Sequence, residues 1–294
     1  MIKDKKLSER SCDSIIFNYS FGGLGVLLKT IASGQIISEQ LNLPYIYVWF
    51  NTWDCGGTDI NGSDLISNVD FFVPRSYPKK QHPKHLFKNK KYMSDCVKFA
   101  VKEMQNKYKN CFDFHEIGKS IIFHATYFNK FPPCGEVKKR IFPVSLMIYN
   151  KLREISPSNK IKEMVEYYEK DHNMSECIGV HVRRGDVPKR RLFGIKRYFS
   201  FLKNHKEFND KKIFLCTENQ KVINGFKERY KDRVLFRPPI ENSRDSIKGI
   251  QNAYTDLLLL SKCKCIIGGK SSFSEVASII GGIKKYTLIK EERL

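Results

Sequence analysis

Cys177-Ile178-Gly179-Val180-His181-Val182-Arg183-Arg184-Gly185-Asp186 runs from a short apolar stretch straight into two arginines, a glycine and an aspartate. The apolar part has the length and composition of a buried strand bounded by charge. A strand of this kind ends at the rim of a sheet, and in open α/β sheets ligands bind at the rim formed by the strands' carboxyl ends. Two guanidiniums delivered there are planar, permanently charged donors suited to a phosphate or pyrophosphate. Gly185 permits a sharp turn, and Asp186 can hold one guanidinium or accept from a ligand. Local spacing alone weighs this reading evenly against a solvated basic turn.

The sequence around this stretch alternates regularly. Downstream, strands are expected at 212–216, 234–236, 265–267 and 285–288, with helices near 196–204, 220–230, 245–261 and 272–280 and one more at 159–170. That order predicts a parallel sheet covered by helices. Upstream, Ser14–Tyr19 reads as a strand and Phe21-Gly22-Gly23-Leu24-Gly25 as a glycine turn. A helix is expected from about Val26 to Leu41, with Leu28, Ile31, Ala32 and Ile36 on one face, and Asn42-Leu43-Pro44 stops it. Tyr45–Phe50 is a second strand, which completes a βαβ unit. Between Asp64 and Pro143 the signal weakens to one helix (97–108) and one strand (120–123). The prolines at 132, 133 and 143 mark an interdomain linker. The expectation is two α/β halves facing each other across a cleft, 1–143 and 144–294.

Bulk composition sets the class. A chain of 294 residues with 41% hydrophobic and 28% charged content is that of a soluble globular protein with one large or two ordinary cores. The formal net charge of +21 favours anionic partners: nucleic acid, an anionic membrane or a phosphorylated substrate. The lysines are scattered without a long block, so most of the charge is ascribed to a lysine-rich surface. No apolar stretch approaches the ~20 residues that span a bilayer. The first residues lack the apolar segment of a secretory signal. Nine cysteines without a Cys-x-x-Cys pair indicate neither a zinc site nor a disulfide framework, and a reducing cytosol is the expected compartment.

Further candidate residues lie at the other strand-to-helix junctions. The Gly23 and Gly25 turn would present backbone amides to whatever lies above it, although the spaced dinucleotide fingerprint is absent. Ser271 or Ser272 is expected to cap the last long helix, and Glu275 stands three residues after Ser272, the spacing of a capping box. The same amides and hydroxyls suit an anion. Trp53 and Asp54 form an aromatic and acidic loop of the kind that receives sugars. For Trp49, inside a strand, a core position is preferred. His181 reads as a packed histidine at a strand end that can also meet the ligand. Asp245 and Asp256 flank the same end of the second half and are carried as ligand contacts.

Taken together, these motifs resemble a glycosyltransferase superfamily that holds α-1,2-, α-1,6- and protein O-fucosyltransferases and the rhizobial nodulation fucosyltransferases. His181-Val182-Arg183-Arg184-Gly185-Asp186 resembles its His-x-Arg-Arg-x-Asp signature, Phe21-Gly22-Gly23-Leu24-Gly25 its N-terminal Gly-Gly-Leu-Gly motif, and Ser271-Ser272-Phe273-Ser274 its Ser-Ser-Phe stretch. The three stand in the family's order over most of the chain. Val26-Leu27-Leu28 departs from the asparagine-containing pattern that several relatives have after the glycine turn, and 64–143 matches no named motif. The resemblance implies a GT-B-like fold of two Rossmann-like domains, with the sugar nucleotide, usually GDP-fucose, in the C-terminal half and a glycan acceptor in the N-terminal half. It implies that Arg183 and Arg184 bind the pyrophosphate, that Asp186 holds the arginines or the sugar nucleotide, and that Ser272 and Phe273 contact phosphate and base. Trp53 and Asp54 fall on the acceptor side, with Asp54 as candidate base. No cofactor or metal is expected: the sequence has no Asp-x-Asp triplet, and arginines would neutralise the leaving diphosphate. A specific nucleic-acid partner is not expected. Peripheral contact with an anionic membrane, another nucleotide sugar and a non-catalytic binding role stay open.

Overall fold

The computed structural model of the chain describes residues 16–19, 23–49, 61–73, 99–100, 102–104, 106–107, 121–124, 144–184, 194–237 and 246–288. The chain divides into two compact units, 1–158 with 243–250 and 159–242 with 251–294. The linker read at the prolines of 131–143 lies outside the described residues.

In the first unit, β1 (Ile16–Tyr19), α1 (Leu24–Leu41), β2 (Tyr45–Val48), β3 (Phe71–Phe72) and β4 (Ile121–His124) build a sheet of order β3-β2-β1-β4, with every pairing parallel. The apolar face of α1 is buried as its spacing predicts, and Leu27 and Ile37 join it. Burial wraps so far around this helix that Thr30 and Ser33 are enclosed too. Their hydroxyls donate to the carbonyls of Val26 at 2.9 Å and Lys29 at 2.8 Å, so neither is left unsatisfied. Asn42 ends α1 in the left-handed conformation, φ 51°, and its N–H donates to the last turn. Trp49 is 1% exposed and packs edge to face with Phe71 at 5.9 Å, which makes it a core residue as expected. Directly after Pro143, α2 (Val144–Glu154) packs against α1. The buried Lys151 of α2 donates to Glu39 of α1 and to Glu154, each at 2.5 Å.

The second unit has the order β7-β6-β5-β8-β9, again wholly parallel: β5 (Ile178–His181), β6 (Ile213–Cys216), β7 (Val234–Leu235), β8 (Cys265–Gly268) and β9 (Lys284–Thr287). Between them run α3 (Asn159–Asp171), α4 (Ile195–Asn204), α5 (Gln220–Tyr230), α6 (Ile247–Ser261) and α7 (Ser272–Gly281). β5 is central. Ile178, Val180 and Val182 point to a core shared with Tyr198 and Leu202 of α4 and Val222, Ile223 and Phe226 of α5. On the opposite face, Gly179 admits Leu260 of α6, and Phe214 meets Tyr168 of α3 edge to face at 5.8 Å. Both faces are covered, which is why these strands read as unbroken apolar runs rather than alternating ones. The thiols of Cys177, Cys216, Cys263 and Cys265 are free and buried. Burial pushes Cys265 up to about 11. Among the described residues no helix is long and apolar enough to cross a membrane.

Candidate functional site

In each sheet the chain leaves the first strand in one direction and, after the third, returns to its other side. The crevice at the carboxyl ends of β5 and β8 is therefore the topological switch point of the second unit, the place where open α/β sheets bind ligands. His181 ends β5, and Gly268, aligned with it in register, ends β8. A Cβ at Gly268 would lie 3.3 Å from the His181 carbonyl, so the two strand ends sit in close contact.

The arginine pair stands at this rim. Val182 still pairs with the Cys216 carbonyl at 3.0 Å, and the Thr217 hydroxyl donates to the Val182 carbonyl at 2.7 Å. These bonds hold the chain straight as it leaves β5, so Arg183 and Arg184 project from a fixed base and are both half-buried. The Arg184 backbone N–H donates to Glu218 Oε1 at 2.9 Å, and its Nη1 donates to the Arg183 carbonyl at 3.0 Å. Tyr198 supports the same strand end from α4, its hydroxyl donating to the His181 carbonyl at 3.3 Å. Burial pushes that phenol up to about 12, with Arg184 acting in the opposite sense.

Across the crevice, Ser271 is the N-cap of α7, and the His181 imidazole stacks on the Phe273 ring at 5.0 Å and 27°. The capping box expected from Ser272 and Glu275 does not form. The helix starts one residue earlier than that spacing requires, so Glu275 sits one position too late, and Ser271 makes no side-chain cap bond. Ser274 occupies the box position, and its hydroxyl donates to the Ser271 carbonyl at 3.4 Å. The Ser271 hydroxyl oxygen is buried without a hydrogen-bond partner. An orphaned hydroxyl beside the free amides of a helix N-terminus can accept or donate to an anion.

The structure thus brings His181, Arg183, Arg184, Ser271, Ser272 and Phe273 to one rim. Asp256 lies in α6, and its charge acts on Cys216, the last residue of β6. Asp256 accepts from Arg237 Nη1 at 2.8 Å, while Arg237 also reaches Asn252 Oδ1 at 3.0 Å and the Asn252 carbonyl at 3.1 Å. Burial pushes the Asp256 carboxyl up to about 6, with Arg237 opposing that rise. In the first unit Gly23 is the N-cap of α1 with φ −69°, and a Cβ there would meet nothing within 4 Å. Its backbone does not itself demand glycine. Gly25 lies buried in the first turn of α1. Trp53, Asp54, Asp186 and Asp245 lie outside the described residues. Sequence reasoning missed Glu218 and Lys285, whose Nζ donates to the Ser271 carbonyl at 3.4 Å. The available signal was positional for Glu218, two residues past β6 at the same rim, and none existed for Lys285.

No protein-family model and no curated protein matches the chain. Solved structures do match it. NodZ alpha-1,6-fucosyltransferase co-crystallized with GDP is 18% identical, with a TM-score of 0.55 over 90% of this chain and 91% of that one. A mutant of Arabidopsis thaliana FUT1 in complex with GDP is 17% identical, with a TM-score of 0.58 over 97% of this chain and 72% of that one. POFUT1 in complex with GDP-fucose is 11% identical, with a TM-score of 0.53 over 97% of this chain and 100% of that one. The chain has the α/β, GT-B-like fold that the motifs led one to expect.

Proposed function

We propose that the chain is a glycosyltransferase that moves fucose from GDP-fucose to a glycan hydroxyl. The observation that carries this reading is the switch point, where a half-buried arginine pair follows β5 and, after the adjacent β8, a helix begins whose N-cap hydroxyl is buried and unpartnered. Support comes from the GDP and GDP-fucose carried by proteins of the same fold. On this reading the second half holds the nucleotide and the first half, 1–143, holds the acceptor through Trp53 and Asp54.

The transfer is a single displacement with inversion. The C1–O bond between fucose and the diphosphate breaks, the acceptor oxygen forms its bond to C1 from the opposite face, and the acceptor proton leaves to solvent or to Asp54. Negative charge grows on the departing diphosphate, and stabilising that charge is the largest contribution the protein makes. Arg183, Arg184 and the α7 amides supply it in place of a metal ion. His181 and Phe273 wall the crevice, and Asp186 steadies the arginines. Asp245 and Asp256 remain proposed contacts to the nucleotide. The enzyme is placed in the cytoplasm, where its basic surface allows peripheral contact with anionic lipid.

A thermal-shift screen of GDP, UDP, dTDP and CMP tests the nucleotide. At 100 times its Kd a ligand stabilises by ~2.7 kcal/mol, and GDP is expected to give the largest shift. Arg183→Ala is expected to slow fucosyl transfer roughly ten- to a hundred-fold, since a charge-assisted contact is worth ~1.5–3 kcal/mol. Intact turnover in that variant would overturn the mechanism, and a larger shift with another nucleotide would overturn GDP.

A further inference from the structure

The N-terminus of α7 has an unusual neighbour. Lys285 belongs to β9, where it pairs in register with Ile266, and its half-buried side chain reaches up to the carbonyl of Ser271. A helix N-terminus carries partial positive charge, and an ammonium beside it adds to the field that an anion meets there. The Ser271 carbonyl that Lys285 touches also takes the first intrahelical bond, from the Glu275 N–H at 3.1 Å. Ser271 itself is 9% exposed, and its hydroxyl is the buried oxygen that lacks a partner. Cation, helix end and idle hydroxyl together describe a place made for negative charge.

We infer that Lys285 is a positioning residue for the diphosphate: its ammonium, anchored on the Ser271 carbonyl, fixes the N-cap and adds positive charge behind the α7 amides. This rests on the sugar-nucleotide reading above. The Lys285 ammonium and the N-terminal end of the helix dipole carry the same sign. When an anion arrives, both act on it in the same direction, together with Arg183 and Arg184.

The test compares Lys285→Met, which keeps the stem and loses the charge, and Lys285→Gln, which keeps a hydrogen-bond donor, with Lys285→Arg and the wild type. Binding of GDP, guanosine and inorganic pyrophosphate is measured by calorimetry, and unfolding midpoints are read without ligand. The neutral variants are expected to bind GDP and pyrophosphate about ten-fold more weakly and to bind guanosine as the wild type does. Lys285→Arg is expected to restore GDP binding. Unchanged GDP and pyrophosphate affinity in the neutral variants overturns the inference, and so does an equal loss for guanosine. A wild type that binds pyrophosphate but not GDP overturns the guanine nucleotide, while Lys285 is still judged on pyrophosphate. A wild type that binds neither overturns both.

Discussion

The ring of Phe273 stacks on the imidazole of His181, 5.0 Å between centroids and 27° between planes, and so joins the end of β5 to the first turn of α7. The contact couples the two motifs that supply the crevice. A ring pair of this type contributes about 0.5–1.5 kcal/mol beyond the area it buries. Phe273→Ala is expected to lower the unfolding midpoint and to weaken GDP binding together, whereas Phe273→Tyr retains both. Urea titration with and without GDP reads the two effects, and an alanine variant with full GDP affinity would separate the stack from the site.

Glu218 fixes Arg184 through the backbone rather than through the guanidinium. Glu218→Ala frees the main chain at Arg184 and leaves the charge of both arginines in place. The expected outcome is a rise in KM for the sugar nucleotide of about three- to ten-fold with a smaller change in kcat, since the lost bond lies at an exposed position. Steady-state kinetics with the nucleotide as varied substrate checks this.

Asp256 gives the protein a pH dependence of definite sign. Burial raises its folded pKa to about 6 from an ordinary value of 3.8, against the pull of Arg237. The folded state therefore holds this proton more tightly than the unfolded chain does. That contribution to stability is complete below pH ~4, fades as pH rises through 6, and is absent above. Asp256→Asn removes the titrating group. The midpoint difference, variant minus wild type, is expected to increase between pH 4 and 6 by the equivalent of about 1–3 kcal/mol and then level off. A difference that stays flat across that window would show that Asp256 titrates as an ordinary carboxylate.

Gly281 closes α7 directly against the chain at Ser261. A Cβ there would stand 1.9 Å from the Ser261 carbonyl oxygen, a clash with backbone that no side-chain rotation relieves. Gly281→Ala is expected to destabilise the protein by at least about 2 kcal/mol, seen as a lower urea midpoint. At Gly23 the outcome is the reverse: Gly23→Ala meets open space and an extended backbone, so stability is expected to hold.

The strands of the second unit were legible because both faces of its sheet are buried, which leaves short apolar runs ended by charge. The expected β5 overran by one residue at each end, since Cys177 still accepts from the Lys264 N–H and Val182 still donates to the Cys216 carbonyl, each one bond beyond the strand. α2 was not legible. It begins at the residue after Pro143, its Met147 and Tyr149 are partly exposed, and a buried lysine anchors it, so no apolar stripe announces it. β3 has two residues, too few to show a period. At the site, the arginine pair and Ser271-Ser272-Phe273 could be named from sequence, but not the idle state of the Ser271 hydroxyl, which depends on where the helix starts by one residue. Glu218 and Lys285 reach partners 34 and 14 positions away, and only the folded sheet makes them neighbours.

β9 is the outermost described strand of its sheet, and it opens with Lys284, exposed to solvent, next to Lys285. An outer strand can template pairing by a second molecule, and an exposed ammonium on it makes such docking repulsive. Concentrated, low-salt solutions should therefore stay clear, while added salt, by screening Lys284, should bring the molecules together along this margin.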